Sequence, residues 1–397
     1  MPSALRDEYR GRCGLTGFGS AAGRWGLVLR GGRAAAAVTE HHAPNVSIGK
    51  SDVEHGGAGL NVRNGMVCVV IPTLNADDRL RECVESLARQ TRQDFEVIVV
   101  DNSGVGLVRK RGHAPGARII ENHRNAGFGE AVNQGFAASC APYLATLNDD
   151  AVAHPQWLDS LLRAIESRPD AGMCASQVRL AGQPGLDSAG MLVARDGSSK
   201  QRGNGRLPED FPVAEEVLLP SGSAALYRRA MIEETGGFDS CFFLYCEDTD
   251  LGLRARWAGW KCLYVPEAVV EHHYSHSAGA ASPLKAYYVE RNRLFLLVKN
   301  FPVPMLFAAP FATLARYVWH LGFLLQGRGS AARFRAEGNA GAKMLWYVVK
   351  AHLALAVHVP RLLGQRREIR RRARITPAVF QRLLRSHSIS VRRVAAL

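Results

Sequence analysis

The chain has 397 residues, enough for roughly two to three domains of ~150 residues or for one large α/β domain with appendages. Hydrophobic residues make up 47% and charged residues 22%, a globular balance that excludes wholesale disorder, a collagen-like repeat and a polytopic membrane bundle. The formal net charge of +14 is concentrated at the C-terminus, where residues 361–397 hold eleven arginines against one acid, Glu368; this reads as a basic arm suited to an anionic membrane surface, to nucleic acid, or to plain solvation.

In chain order, residues 1–65 are rich in Gly, Ala and Arg, lack the apolar core of a secretory signal, and predict a flexible low-complexity leader, with folding expected to begin near Met66. From Val67, short apolar runs alternate with segments of helical period, which predicts an α/β domain with a mostly parallel central sheet. The strands are VCVVIP (67–72), FEVIVV (95–100), ARII (117–120) and YLATL (143–147). The helices between them are DDRLRECVESLARQ, with Leu80, Cys83, Val84 and Leu87 on one face, then GFGEAVNQGFAAS and PQWLDSLLRAIES. After about Gly172 the reading changes to short β pieces and turns around GQPG and RDGSSKQRGNG, with DTDLGLRARWAG as the clear helix. LKAYYVERNRLFLLVK (284–299) predicts a long amphipathic helix. The uncharged runs that follow, 300–315 ended by Arg316 and 344–360 interrupted by Lys350, fall short of the ~20 residues needed to span a bilayer and predict interfacial helices. Three regions result: a leader (1–65), an α/β domain (66–299), and amphipathic helices with an Arg-rich membrane-associating tail (300–397). Eight cysteines without a Cys-x-x-Cys pair point to a reducing compartment.

The strand ends deliver polar residues: Thr73 and Asn75, Asp101 and Asn102, then Asn148, Asp149 and Asp150. In open α/β sheets such residues converge on a crevice at the carboxyl edge. Adjacent acids after a strand serve as a helix cap as readily as they hold a cation, but oxygen ligands at a rigid strand end are what a hard divalent ion on a diphosphate requires. Glu247 and Asp248 open a helix, where acids are also favoured by the macrodipole, and Asp250 is spaced to pair with Arg254. His272, His273 and His276 form a third cluster that alone fits packing as well as metal binding.

The ordered set VVIPTLN, VVDNSG, NHRNAGFGEAVNQG, LNDDA, GSAALYRRAMIEETGGFDSCFFLYCEDTDLGLRARWAGW and VPEAVVEHHYSHS resembles the family 2 glycosyltransferases of GT-A fold, in particular their rhamnosyltransferase-like branch. The resemblance spans about Met66 to Lys299 and implies an inverting hexosyltransferase of cell-surface glycan assembly. It implies that Pro72, Thr73, Asn75 and Asp101 hold the nucleoside, that Asn125 and Gly127 lie along the nucleotide sugar, and that Asp149 touches the sugar or ribose. It implies a metal site, Mg2+ or Mn2+, on Asp150 and His272, with His273 as the alternative ligand. Asp248 is implied as general base with Glu247 beside it positioning the acceptor, and Gly222 and Ser223 on the acceptor side with the FDSCFF segment. Arg291 reads as helical surface charge or as a group reaching the diphosphate. Leu253 stands where the processive Gln-x-x-Arg-Trp signature would have Gln, which favours single addition.

The implied donor is a nucleotide sugar, dTDP-rhamnose ranking ahead of galactofuranose, glucose and N-acetylglucosamine donors. The acceptor is a glycan or lipid-linked sugar, met at the inner face of the cell membrane, with no nucleic acid expected. Two rivals stand against this reading: an NAD-dependent oxidoreductase, from the Gly-x-Gly of GFGEAVNQG, and a non-enzymatic membrane- or nucleic-acid-binding module, from the basic tail.

Overall fold

The computed structural model describes residues 66–273, 282–336 and 341–397, so the expected leader and His276 lie outside the described residues. β1 (Val67–Thr73), β2 (Phe95–Asp101), β3 (Arg118–Glu121) and β4 (Tyr143–Leu147) form on the continuous apolar runs. They pair in parallel in the order β3-β2-β1-β4. The chain winds outward from β1 in one direction and returns to its other side for β4, which opens a crevice at the carboxyl ends of these two strands.

Alternate residues of β1 feed two cores. Val67, Val69 and Ile71 pack with α1 (Asp78–Ala88) and with α4 (Trp157–Glu166), while Cys68 and Val70 pack with α3 (Phe128–Ala137) and α5 (Arg229–Thr235). Burial on both faces is why these strands lack polar alternation. A short α2 (Leu107–Arg111) links β2 to β3.

Beyond β4 the sheet continues through β5 (Ala151–Ala153), β6 (Ala171–Leu180), β7 (Leu186–Ser188), β10 (Glu215–Val217), β11 (Ala224–Arg228) and β12 (Lys261–His272). β11 enters antiparallel between β4 and β6, and β12 runs parallel to β6. Where the sequence predicts only a turn around RDGSSKQRGNG, β8 (Met191–Val193) and β9 (Ser199–Gln201) make a separate hairpin.

The C-terminal part is helical: α6 (Glu247–Trp257), α7 (Pro283–Asn300), α8 (Val303–Leu325), α9 (Gly329–Ala336), α10 (Gly341–Arg371), α11 (Pro377–Ser386) and α12 (Val391–Ala396). Arg316 does not end α8. It turns inward, its Nε 2.6 Å from Asp196 Oδ2 and its Nη2 2.8 Å from Glu290 Oε2, so the charge is met by two buried carboxylates. Lys350 stays inside α10 and rests over the Tyr287 ring at 4.5 Å. Among the described residues no helix is long and apolar enough to cross a membrane.

The Arg-rich tail differs most from expectation, because it is docked rather than a free arm. Arg366 Nη1 donates to the carbonyls of Val298 (3.0 Å) and Phe301 (2.6 Å), and Arg370 donates to that of Asn300 (3.1 Å). These carbonyls close α7, and a guanidinium supplies both the donors and the positive charge that a helix C-terminus lacks. Arg372 donates to the Glu234 carbonyl (2.6 Å), and Arg361 and Arg374 pair with Asp239 and Glu234. Trp257, at the end of α6, stacks on Phe380 with ring centroids 3.9 Å apart, while the Arg370 guanidinium lies 3.3 Å from its ring. Packing therefore runs across residue 299, and the described residues form one compact unit.

Candidate active site

Thr73 and Asp149 meet at the crevice between β1 and β4, Thr73 Oγ1 donating to Asp149 Oδ2 at 2.6 Å. Burial lifts the Asp149 carboxyl to about 6 against that hydrogen bond, with the adjacent Asp150 charge adding to the rise. Asn75 is exposed at the rim, and Pro72 sits in β1 opposite Val100. Asp101 is 1% exposed and already engaged, its two oxygens accepting from the amides of Ser103 (2.8 Å) and Val108 (2.9 Å). It shapes the loop after β2, as an Asx turn does.

Asp150, in the turn after β4, and His272, at the end of β12, come together. His272 Nε2 lies 3.1 Å from Asp150 Oδ1 and 3.1 Å from Asn148 Nδ2. The other ring nitrogen, Nδ1, donates to Asp187 Oδ2 at 2.8 Å. Burial pulls the imidazole down, but Asp150 and Asp187 outweigh it and hold the ring up at about 10. Two donors bound to one ion at ~2.1 Å and a right angle stand about 3 Å apart, so Asp150 Oδ1 and His272 Nε2 fit a divalent cation, which would take the place of the ring proton. Among the described residues no set of three His, Cys, Asp or Glu side chains converges, so diphosphate and water oxygens would complete the coordination. Asp187, 1% exposed, is the outer partner that fixes the His272 tautomer. His273 turns away, its Nε2 3.1 Å from Arg79 Nη1.

The segment 221–223 joins this site to Asp248. Ser223 O accepts from the Asn148 amide at 2.9 Å, and the Gly222 amide donates to Asp248 Oδ2 at 2.9 Å. A Cβ on Gly222 would stand 3.3 Å from that of Asp248. Asp248 Oδ1 accepts from the Thr249 amide (2.6 Å) and hydroxyl (3.2 Å). Burial raises the Asp248 carboxyl, and these three donors counter it by stabilising the anion. Glu247 is buried, its Oε2 has no partner, and burial followed by the Asp248 charge pushes it up to about 8. Such a divided pair keeps the Glu247 carboxyl neutral, while the donors around Asp248 favour its charged form.

The loop before this pair is strained. Phe243, Tyr245 and Cys246 have φ of +63°, +69° and +67°, and the remaining positive-φ non-glycine among the described residues, Ala76, follows Asn75 across the site. Asn292 holds the loop, its fully buried amide donating to the carbonyls of Phe242 (2.9 Å), Leu244 (2.9 Å) and Tyr245 (2.7 Å). Arg291 joins it through the carbonyls of Cys241 and Phe242, both at 2.8 Å. Phe242 is core, whereas Phe243 stacks on Tyr288 at 5.2 Å. The Asn125–Gly127 segment braces the same loop: Asn125 Oδ1 accepts from Gly127 N at 2.8 Å, and Phe243 O accepts from Phe128 N at 2.9 Å. Gly127 has φ +84°, and a Cβ there would fall 2.3 Å from the Phe243 oxygen. Asp250 pairs with Arg254 at 2.8 Å as its spacing predicts, and also accepts from Lys299 and Asn300.

Asn292 and Asp187 are the two positioning residues that sequence reasoning missed. Asp187 lies 85 positions from His272, with nothing local to mark it. The Asn within VERNR stood inside a segment read only for its helical period.

The sequence model of "Glycosyl transferase family 2" matches residues 68–236. The chain is 32% identical to an N-acetylglucosaminyl-diphospho-decaprenol L-rhamnosyltransferase of Mycobacterium tuberculosis, over 55% of this chain and 80% of that one. It is 28% identical to the O-antigen biosynthesis protein RfbC of Myxococcus xanthus, over 56% of this chain and 18% of that one. Among solved structures, GalNAc-T7 with UDP, GalNAc and Mn2+ shares the fold at a TM-score of 0.52 and 15% identity, over 76% of this chain and 59% of that one. With a strand order that reverses between the parallel β1 and β4, and a 32% identical relative covered over 80% of its length, the chain belongs to glycosyltransferase family 2 and is a glycosyltransferase.

Proposed function

We propose that the protein is an inverting, metal-dependent enzyme that transfers a single sugar from a nucleotide sugar, dTDP-rhamnose first among the candidates, to a hydroxyl of a lipid-linked glycan acceptor. The observation that carries this reading is the 221–223 segment, which ties a hydrogen-bonded Asp248 to the Asn148–Asp150 strand end through two backbone hydrogen bonds. A divalent ion bound by Asp150 and His272 would neutralise the departing diphosphate. Thr73 and Asp149 border the nucleotide side, and Asp248 removes the proton from the acceptor hydroxyl as its oxygen attacks the anomeric carbon from the opposite face. Burial of Glu247 fits a group that acts on Asp248 better than one that touches an acceptor.

The acceptor class follows the rhamnosyltransferase relative, whose name specifies a diphospho-decaprenol substrate. Association with a membrane surface is supported by α8 and α10, not by the tail arginines. Phe307 and Phe311 are 76% exposed, Leu325 81% and Val357 76%, with the exposed cations Arg328, Arg335 and Lys343 nearby in sequence. Apolar faces of this kind lie in a lipid interface, and adjacent cations favour an anionic one. The functional division at residue 299 is kept in that sense: catalysis before it, membrane contact after it.

The test is nucleotide release from a panel of nucleotide sugars with Mg2+ or Mn2+, run beside calorimetric binding of dTDP and UDP to Asp150→Ala. Metal-dependent binding that disappears in a folded Asp150→Ala supports the reading. Unchanged nucleotide and metal affinity in that variant would make Asp150 a structural cap and refute it.

A further inference from the structure

Asn102, the residue after β2, is 5% exposed and its side chain has no part in the site described so far. Its backbone and its side chain serve different parts of the crevice. The backbone amide donates to the Thr73 carbonyl at 2.8 Å, at the end of β1 that borders the nucleotide side. The side chain reaches the 125–127 segment instead: Nδ2 donates to the Gly127 carbonyl at 3.3 Å, and Oδ1 accepts from the Ala126 amide at 3.4 Å. Backbone partners have fixed polarity, so only this orientation of the Asn102 amide satisfies both. Oδ1 also accepts from Asn122 Nδ2 at 2.8 Å, and the same nitrogen donates to Gln134 Oε1 on α3 at 2.9 Å. The Asn122 backbone amide donates to the Asp101 carbonyl at 2.9 Å, so three side-chain amides tie the ends of β2 and β3 to α3.

The segment held in this way supports the carboxylate pair. A Cβ on Gly127 would fall 2.8 Å from Phe243 Cδ2 as well as against the Phe243 oxygen, and a Cβ on Gly129 would stand 3.7 Å from that of Glu247. The start of α3 therefore rests on the strained loop and on Glu247, and a shift of residues 125–127 reaches both. Displacements of about 1 Å at a distance from the reacting atoms can cost about 100-fold in rate, because they spoil the approach of groups that must already be aligned.

We propose that Asn102 is a positioning residue for sugar transfer, its side chain setting the 125–127 segment and, through it, the loop that leads to Asp248, while only its backbone serves the nucleotide end. This assignment rests on the glycosyltransferase reading above. Asn102→Ala keeps the amide that bonds Thr73 and removes every side-chain bond. Asn102→Asp keeps the size and the acceptor but sets an oxygen where Nδ2 meets the Gly127 carbonyl. Asn122→Ala, at a half-buried position, removes the 2.8 Å bond and decides the matter if the Asn102 variants do not fold.

Each protein is titrated calorimetrically with dTDP and UDP in the presence of Mn2+, and kcat and KM are measured on the nucleotide sugar that the release panel selects. Asn102→Ala is expected to keep nucleotide affinity within about twofold and to lower kcat by about tenfold or more, with Asn102→Asp falling at least as far and Asn122→Ala about threefold. A group that merely stabilises the fold would lower melting temperature and nucleotide affinity along with turnover. Wild-type kcat in the folded Asn102 variants, or in Asn122→Ala where those do not fold, would overturn the proposal. A loss of nucleotide affinity as large as the loss of kcat would overturn it too. A wild type that binds neither nucleotide would instead bring down the glycosyltransferase reading beneath it.

Discussion

Asn292→Ala tests whether the active-site loop is held by one amide. Three residues of the loop sit at positive φ, each costing about 1–2 kcal/mol for an L-residue, so the loop carries roughly 3–6 kcal/mol of strain that its surroundings must offset. The Asn292 amide meets three carbonyls with two hydrogens, which amounts to at least two full hydrogen bonds in a fully buried setting. At about 1 kcal/mol per bond, plus about 1–3 kcal/mol for carbonyls left buried without donors, the substitution should destabilise by roughly 3–5 kcal/mol. For a unit of about 330 residues the unfolding entropy near 60 °C is about 0.7 kcal/mol/K, so the melting temperature should fall by about 4–7 °C. If the loop relaxes locally instead, the loss appears in turnover, because Asp248 stands two positions after the last strained residue, Cys246. Calorimetry and steady-state kinetics on the same preparation read both outcomes, with nucleotide affinity retained. Asn292→Asp, which turns an acceptor towards the same three carbonyls, should be worse than Ala. Wild-type melting and turnover in Asn292→Ala would refute the clamp.

Asp248→Asn should lower single-turnover transfer by about 100- to 10,000-fold with donor affinity nearly unchanged, and Glu247→Gln should lower it less; the reverse order would make Glu247 the base. Glu247, ordinarily near 4.5 and raised to about 8 by burial and Asp248, stays protonated in the folded chain while the unfolded chain ionises. Stability should therefore fall as pH rises from about 4.5 to 8, by at most ~1.4 kcal/mol per pH unit, and level off above; denaturant titrations across that range should flatten in Glu247→Gln. His272→Ala should weaken Mn2+ dependence less than Asp150→Ala, and an unchanged metal titration would give the role to His273 or water. Replacing Phe307 and Phe311 by Ser should reduce sedimentation with anionic vesicles without lowering the melting temperature, whereas deleting residues 361–397 should unfold the protein, because Arg366, Arg370 and Phe380 are packing groups.

The parallel half of the sheet and its strand-end residues were legible because a strand buried on both faces leaves an unbroken apolar run, and the polar residue that ends it stands at the crevice. Asp150, Asp248 and His272 could be read from ordered motifs. The remainder depends on partners remote in sequence. Arg316 interrupts an apolar run and so reads as a helix end, yet it faces two buried acids from β8–β9 and α7. The tail arginines look like a solvated arm because composition cannot show that the carbonyls closing α7 await donors. Asp101, for which the resemblance implies nucleoside contact, also accepts from two amides of its own loop, a role that no motif marks.

The stack of Phe380 on Trp257 also sets a clock on biosynthesis. The two rings are 123 positions apart, and at roughly 5–20 residues per second the helix that begins with Glu247 and Asp248 waits about 6–25 s for the residue that covers its far end. Through that interval the ring face of the indole lacks the stack of Phe380, and the carbonyls of Val298 and Phe301 wait for Arg366. A nascent chain in this state depends on chaperones or on an early encounter with a lipid surface to avoid aggregation, so expression yield should respond to slowed translation of residues 300–380 more sharply than to changes in any earlier stretch.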